Sequence, residues 1–206
     1  PEGLASEDEF AAFRAALPGV HYVANTLAAS LLLALGAEAV LRSRAGERRL
    51  PLEDFFLSYR KTALRPGEVL MAVDVPAQPE GARALAYKVS KRREADISSV
   101  SAGFRVVVDA AGRVTEARLA YGGMAATPAR ARRTEAALVG QPWSEALVEA
   151  VLPHLAEDFQ PLTDHRGSAW FRGQLAQNLL RGFFQETLDM PQPRLAERHA
   201  ATVQVR

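Results

Sequence analysis

Hydrophobic and polar positions along this chain change rhythm twice. The first stretch alternates short helices with turns. Ser6 to Leu17 reads as an amphipathic helix, with Ser6 as cap and Glu9 as its capping-box partner. Pro18 and Gly19 stop it. Thr26 to Leu35 is rich in alanine and leucine and predicts a buried helix ended by Gly36. Ala39 to Arg42 predicts a short strand, and Ala45-Gly46 a turn. Pro51 opens a second unit: PLEDFF is a helical turn, and Arg65-Pro66-Gly67 turns into a strand at Val69 to Val75.

The middle of the chain has the rhythm of strands. Ala84 to Ser90, Ser98 to Asp109 and Val114 to Tyr121 predict a meander, its last two strands joined by the tight turn Asp109-Ala110-Ala111-Gly112. The rest is helical. Pro128 fits the start of a helix running to Leu138 and ended by Gly140. Ser144 caps a helix to Leu155 that Pro153 must bend or shorten. Ser168 to Leu188 is a third helix, and Pro191 opens a polar tail expected to be disordered. Strands first and helices later predict an α+β fold: an antiparallel meander of three to four strands packed against a C-terminal set of helices on one sheet face.

The chemistry concentrates in one loop. Between apolar strands, the run Lys91-Arg92-Arg93-Glu94-Ala95-Asp96 carries five charges, and Ile97 restarts the apolar pattern. By spacing alone this is a solvated connection, or a rigid presentation of charge to an anionic or polarisable cofactor. Lys88 sits where the strand gives way to the loop. By itself it reads as a solvent-exposed lysine. Gly122-Gly123 ends a strand with a sharp turn, and turn geometry is reason enough for both glycines.

Composition narrows the classes. The 206 residues carry a net charge of +1, which gives no global field for nucleic acid. Arg130, Arg132 and Arg133 lack interleaved aromatics and read as a solvated face. There is no cysteine, so the chain holds neither a disulfide nor a Cys-ligated iron–sulfur cluster. The four histidines show no metal-ligand spacing, and no nucleophile elbow, P-loop or dinucleotide fingerprint occurs. No catalytic and no metal-binding residue is assigned. The most apolar run is too short to span about 30 Å of hydrocarbon. The N-terminus has no signal-peptide pattern, so a cytoplasmic protein without membrane contact is expected.

Four segments in order carry a resemblance: PLEDFFLSYRKTALRPGEVL, AYKVSKRREADISSVSAGFRV, LAYGGMAATPARARRTEAALVG and PLTDHRGSAWFRGQLAQNLLRGFFQET. They resemble the C-terminal flavoprotein domain of the xanthine dehydrogenase small subunit and, more broadly, of the carbon monoxide dehydrogenase flavoprotein family. The resemblance runs from Leu31 to Thr187. It implies residues 1–45 as the end of an FAD-binding domain, 46–190 as the flavoprotein C-terminal-like domain, and 191–206 as a tail. It implies FAD here, with molybdenum cofactor and iron–sulfur clusters on other domains or subunits. Electrons from purine oxidation would pass through those clusters to FAD and then NAD. Partners would be a molybdopterin-binding large subunit and an iron–sulfur domain.

The same resemblance implies Lys88, Arg92, Asp96, Ile97 and Asn25 as flavin contacts. Ala95 departs from the pattern, because xanthine dehydrogenases often place two acids before the isoleucine. The glycine-rich loops that cradle the FAD pyrophosphate have no counterpart before Leu27, where only Val23-Ala24-Asn25-Thr26 stands. The chain therefore reads as a piece of a longer subunit, or as a docking domain of the same fold that no longer holds flavin. Either way, the isolated chain is expected to be inactive and to bind FAD weakly.

Overall fold

The computed structural model describes residues 26–92 and 97–188. The expected helix at Ser6 to Leu17, Asn25, Asp96 and the tail from Pro191 lie outside the described residues. Helix α1 covers Thr26–Leu35. Gly36 ends it at φ 75°. The Gly36 amide donates back to the Leu33 carbonyl at 3.2 Å and the Ala37 amide to Leu32 at 3.0 Å, the Schellman pattern that satisfies a helix's last carbonyls.

A three-stranded antiparallel sheet follows, in the order β2-β1-β5. Strand β1 is Glu38–Ser43 and β2 is Gly46–Pro51, so the boundary expected at residues 45 and 46 falls in their hairpin turn. Strand β2 escapes the sequence reading because GERRLP offers no buried apolar alternation. Helix α2, Leu52–Phe55, leads to a small hairpin of β3, Phe56–Ser58, and β4, Lys61–Thr62. Strand β5, Val69–Asp74, then returns along β1. A two-pronged ion pair ties this unit together. Arg48 reaches the Glu68 carboxylate at 2.7 and 2.8 Å, and the Arg65 amide donates to the same group at 2.8 Å. The Arg48 hydrogen bonds, opposed by partial burial, bring the Glu68 carboxyl down to about 2.

The second sheet has the order β6-β7-β8-β9 and is antiparallel throughout. Its strands are β6, Ala82–Val89; β7, Val100–Val108; β8, Val114–Gly122; and β9, Ala129–Arg130. Strand β9 corrects the expected helix start at Pro128. Ala129 and Arg130 pair with Tyr121 and Ala120 at the sheet edge, and helix α3 begins only at Arg132, running to Leu138. Helix α4, Glu145–Val151, is capped by Ser144 as expected. Pro153 lies in a short 3₁₀ turn, Leu152–His154, before α5, Leu155–Asp158. Helix α6, Ala169–Thr187, is capped by Ser168, whose hydroxyl accepts from the Phe171 amide.

The two faces of this sheet are chemically different. One is aromatic and lies under the C-terminal helices, as the strand-then-helix order predicts. Phe104 of β7 meets Tyr121 at 5.0 Å and Phe183 of α6 at 5.4 Å between ring centroids, and the Tyr121 hydroxyl donates to the Ala176 carbonyl. The other face is made of small residues and is covered by α1, which the expectation of helices on one face alone does not include. A Cβ added to Gly103 would lie 2.4 Å from Leu31 Cα, and the hydroxyls of Ser30 and Ser101 meet at 3.3 Å. Ser101, Gly103 and Ala120 present no bulk, so the helix backbone rests directly on the strands.

The arginines expected on a solvated face divide. Arg133 is exposed and pairs with Glu157 at 2.8 Å. Arg130 buries its side chain instead, with its fork on Glu135 at 3.0 and 2.7 Å. Burial pushes the Glu135 carboxyl up, against the pull of Arg130 and the Leu119 amide.

Two outcomes follow from these contacts. Gly103→Ala should destabilise the fold by about 1–3 kcal/mol in urea unfolding, because neither neighbour is a flexible side-chain tip. An unchanged midpoint would mean that α1 is not seated there. The second concerns acid. The Glu68 carboxyl is depressed to about 2, so its contribution is complete above its ordinary value and is lost as pH falls from about 4.5 toward about 2. Thermal midpoints across that range should fall less steeply for Glu68→Gln than for the parent. Equal slopes would remove the pair from the acid response.

Candidate functional site

The charged loop and the Gly-Gly turn meet at one end of the second sheet. Lys88 is the next-to-last residue of β6. Strand alternation turns Tyr87 into the aromatic core and leaves Lys88 exposed on the α1 face. Its register partner is Ser101, which meets Ser30 of α1. Lys88 forms no ion pair or hydrogen bond with any described side chain. Arg92 is exposed on the loop, and Ile97 is 37 % exposed at the loop's return. Lys88, Arg92 and Ile97 thus lie at the same end of the second sheet, while Asp96 and Asn25 lie outside the described residues.

The loop's two ends are pinned to rigid elements. The Ser99 amide donates to the Val89 carbonyl at 2.8 Å and closes the base. The Ser90 hydroxyl donates to the Arg92 carbonyl at 2.7 Å. Lys91 reaches across to the His165 carbonyl, and the Ser99 hydroxyl donates to the Arg166 carbonyl at 2.8 Å. The segment before α6 therefore braces the loop.

Sequence reasoning missed the group at the centre of this bracing. Arg172 of α6 is buried at 4 % exposure. One guanidinium nitrogen donates to the carbonyls of Ser99 at 2.6 Å and Gly123 at 2.7 Å. Another donates to the Asp164 carboxylate at 2.7 Å. Burial alone would raise the Asp164 carboxyl, but the Arg166 and Gly167 amides and Arg172 hold it below its ordinary range. The signal was present: Arg172 lies on the stripe of Ala176, Leu180, Phe183 and Thr187, where a charge needs a reason. Gly123 belongs to the same junction. It stands at φ 80°, and a Cβ there would lie 2.4 Å from the Ser99 carbonyl oxygen. The second glycine of the turn is therefore required for close approach to the loop, beyond the turn geometry itself.

No group of His, Cys, Asp or Glu gathers to hold a metal among the described residues. No described helix is long and apolar enough to cross a membrane. What the site offers is an exposed cation on a paired strand, beside a loop braced at both ends with Ile97 at its return.

Arg172→Met should leave the Ser99 and Gly123 carbonyls and Asp164 without their shared donor. A cost of about 3–5 kcal/mol is expected in chemical denaturation, as for other broken buried pairs. Hydrogen exchange at the Ser99 amide should accelerate as well. Destabilisation with unchanged exchange there would show that Arg172 serves packing and not the loop.

Comparison with known proteins agrees with this geometry. Residues 85–187 match the family described as CO dehydrogenase flavoprotein C-terminal domain, and residues 24–78 match FAD binding domain in molybdopterin dehydrogenase. A nicotinate hydroxylase of Emericella nidulans is 40% identical over 161 residues, 75% of this chain and 12% of that protein. A xanthine dehydrogenase/oxidase of Gallus gallus is 40% identical over 121 residues, 58% of this chain and 9% of that protein. Among solved structures, carbon monoxide dehydrogenase from Hydrogenophaga pseudoflava superposes with a TM-score of 0.69 at 27% identity, covering 75% of this chain and 53% of the other. The chain thus spans about a tenth of the two curated relatives and about half of the solved one. The second sheet with its helices, the α1 unit on its opposite face and the order of the two matched segments make this chain a member of the CO dehydrogenase flavoprotein family of molybdenum hydroxylases.

Proposed function

We propose that this chain forms one wall of the flavin site in a molybdenum hydroxylase of xanthine dehydrogenase type. There it serves the exit of electrons from purine oxidation, through iron–sulfur clusters to FAD and then NAD. The observation that carries the reading is Lys88: an exposed ammonium with no protein partner among the described residues, held on a paired strand beside a braced loop. The relatives add a second argument. At 40% identity this segment recurs in enzymes named for nicotinate and for xanthine. Residues shared by enzymes with different substrates suit a step those enzymes have in common, and electron exit is such a step.

The residues present fit one side of a flavin. Lys88 supplies positive charge, Ile97 an apolar surface at the rim, and Arg92 further charge at the loop. Bound FAD supplies the redox centre. Lys88 would favour the negative charge that accompanies reduction of the ring, because a fixed cation needs no reorganisation. Arg172 would keep Ile97 and Arg92 at a constant distance by fixing Ser99. The molybdenum cofactor and the iron–sulfur clusters belong to other domains of the homologous enzymes, and this chain's lack of cysteine agrees with that division.

The test uses the complete enzyme containing this segment. Lys88→Ala should slow turnover with NAD by about ten-fold or more, the loss of one charged hydrogen bond. Purine oxidation should be spared when an artificial acceptor takes electrons upstream of the flavin. Lys88→Arg should keep most of the NAD rate. Equal loss of both activities would assign Lys88 to folding or assembly, and no loss would make it a surface lysine.

A further inference from the structure

The α1 face of the second sheet carries more positive charge than its acids neutralise. Arg105 and Arg118 are direct cross-strand partners on β7 and β8. Arg130 of β9 pairs in register with Ala120 on the same face. Like charges set opposite one another repel, so each needs an anion. Arg105 has Glu116 at 2.5 Å and the Gln78 side-chain carbonyl at 3.0 Å. Arg130 has Glu135, with Glu53 at 3.6 Å, and Glu53 is shared with Arg132. Among the described residues, the acids set against Arg105, Arg118, Arg130 and Arg132 are Glu53, Glu116 and Glu135.

Arg118 is the residue left over. It makes no hydrogen bond and no ion pair among the described residues. It is also not a freely hydrated arginine, being half-buried. Its guanidinium lies over the turn that ends α1. A Cβ at Gly36 would stand 3.3 Å from both Cζ and a terminal nitrogen of Arg118. The helix C-terminus supplies partial negative charge here. Its carbonyls are already in use, however: Leu32 and Leu33 accept from Ala37 and Gly36, and Leu35 accepts from Gln78. Burial first, and then the nearby Arg130 and Arg105, disfavour the charged guanidinium; Glu53 and Glu135 favour it without forming an ion pair with it, and the balance holds Arg118 below its ordinary value.

We propose that Arg118, at the seam between the α1–β1 turn and β8, is the binding group for one oxyanion, a carboxylate or a phosphate. A planar guanidinium offers a two-pronged donor fork that matches either group. The site is distinct from the flavin wall: in the register of β7, Lys88 stands at Ser101 and Arg118 at Arg105. It does not depend on the proposed flavin role.

The test is a titration of the 206-residue chain with sodium phosphate and, separately, sodium acetate, at ionic strength held constant with sodium chloride. The thermal midpoint should rise saturably with one or both anions. Arg118→Gln should weaken the apparent affinity about ten-fold or more, as expected for losing a charged hydrogen bond. Arg118→Lys, which keeps the charge without the fork, should fall between. Preference for phosphate would point to free phosphate or a phosphate ester. Preference for acetate would point to a carboxylate side chain of a polypeptide. No rise beyond chloride, or the same rise in Arg118→Gln, would overturn the site and leave Arg118 as a partner of the helix terminus only. If Arg118→Gln does not fold, the Nε–H resonance of Arg118 in the parent decides: a saturable shift with phosphate or acetate supports the site, and an invariant one overturns it.

Discussion

The architecture depends on one close approach, the backbone of α1 lying on Gly103 of β7. Residues 24–78 and 85–187 match two different family models. They are joined physically where Leu31 stands at the distance a Cβ of Gly103 would forbid. A helix seated on backbone has little freedom to slide, since no side chain can repack beneath it. The Ser30–Ser101 pair and the burial of Ala120 extend this seat along and across the strands. The position of α1 then fixes β1, and β1 carries β2 and β5. The same helix covers Ser101 and Gly103 on the face that carries the exposed Lys88.

The charged loop is held at its two ends. Here its return is fixed by a buried guanidinium. Arg172 satisfies two carbonyls and one carboxylate that belong to three separate segments: the loop, the Gly-Gly turn and the stretch before α6. Removing a charge from water is costly, and it is sustained only where several well-made hydrogen bonds replace the lost hydration. The arrangement therefore selects one relative placement of the three segments. The proposed action of charge on a flavin would need that constancy, because electrostatic effects vary with distance.

Much of this was legible in the residues. The apolar–charged–apolar run from Ala84 to Val108 located the strands and loop, because apolar runs broken by a block of charge leave a direct trace. The caps Ser144 and Ser168 and the stop at Gly36 were legible because each is a local device. What stayed hidden was non-local. Strand β2 is polar and forms because β1 offers it a partner. Ala129–Arg130 fits a helix start by composition and becomes an edge strand because β8 has an open side. The seat of α1 is encoded by a missing side chain at Gly103, and absence has no periodicity. Arg172 showed as a charge on an apolar stripe, but its partners lie 8 to 73 positions away. Lys88, Arg92 and Ile97 are close in sequence, so their proximity was given in advance. That Lys88 shares a face with α1 was not.

The two faces of the second sheet carry a division of labour. The aromatic face is sealed by rings and helices and supplies cohesion: Phe104, Tyr121, Phe159 and Phe183 bury large apolar areas in edge-on contacts. The α1 face has small residues where the helix rests, and long cationic ones where it does not. Burial of apolar area cannot be the purpose of placing Lys88, Arg105, Arg118 and Arg130 there, because each adds desolvation cost or exposes a long polar chain. Two of the four, Arg105 and Arg130, are neutralised by protein acids. The other two, Lys88 and Arg118, are separated along the sheet by the length of β7 between Ser101 and Arg105. A sheet with its stability concentrated on one face can carry on the other cations that form no ion pair with a described residue. This is the physical condition under which such a domain can present charge to molecules beyond itself.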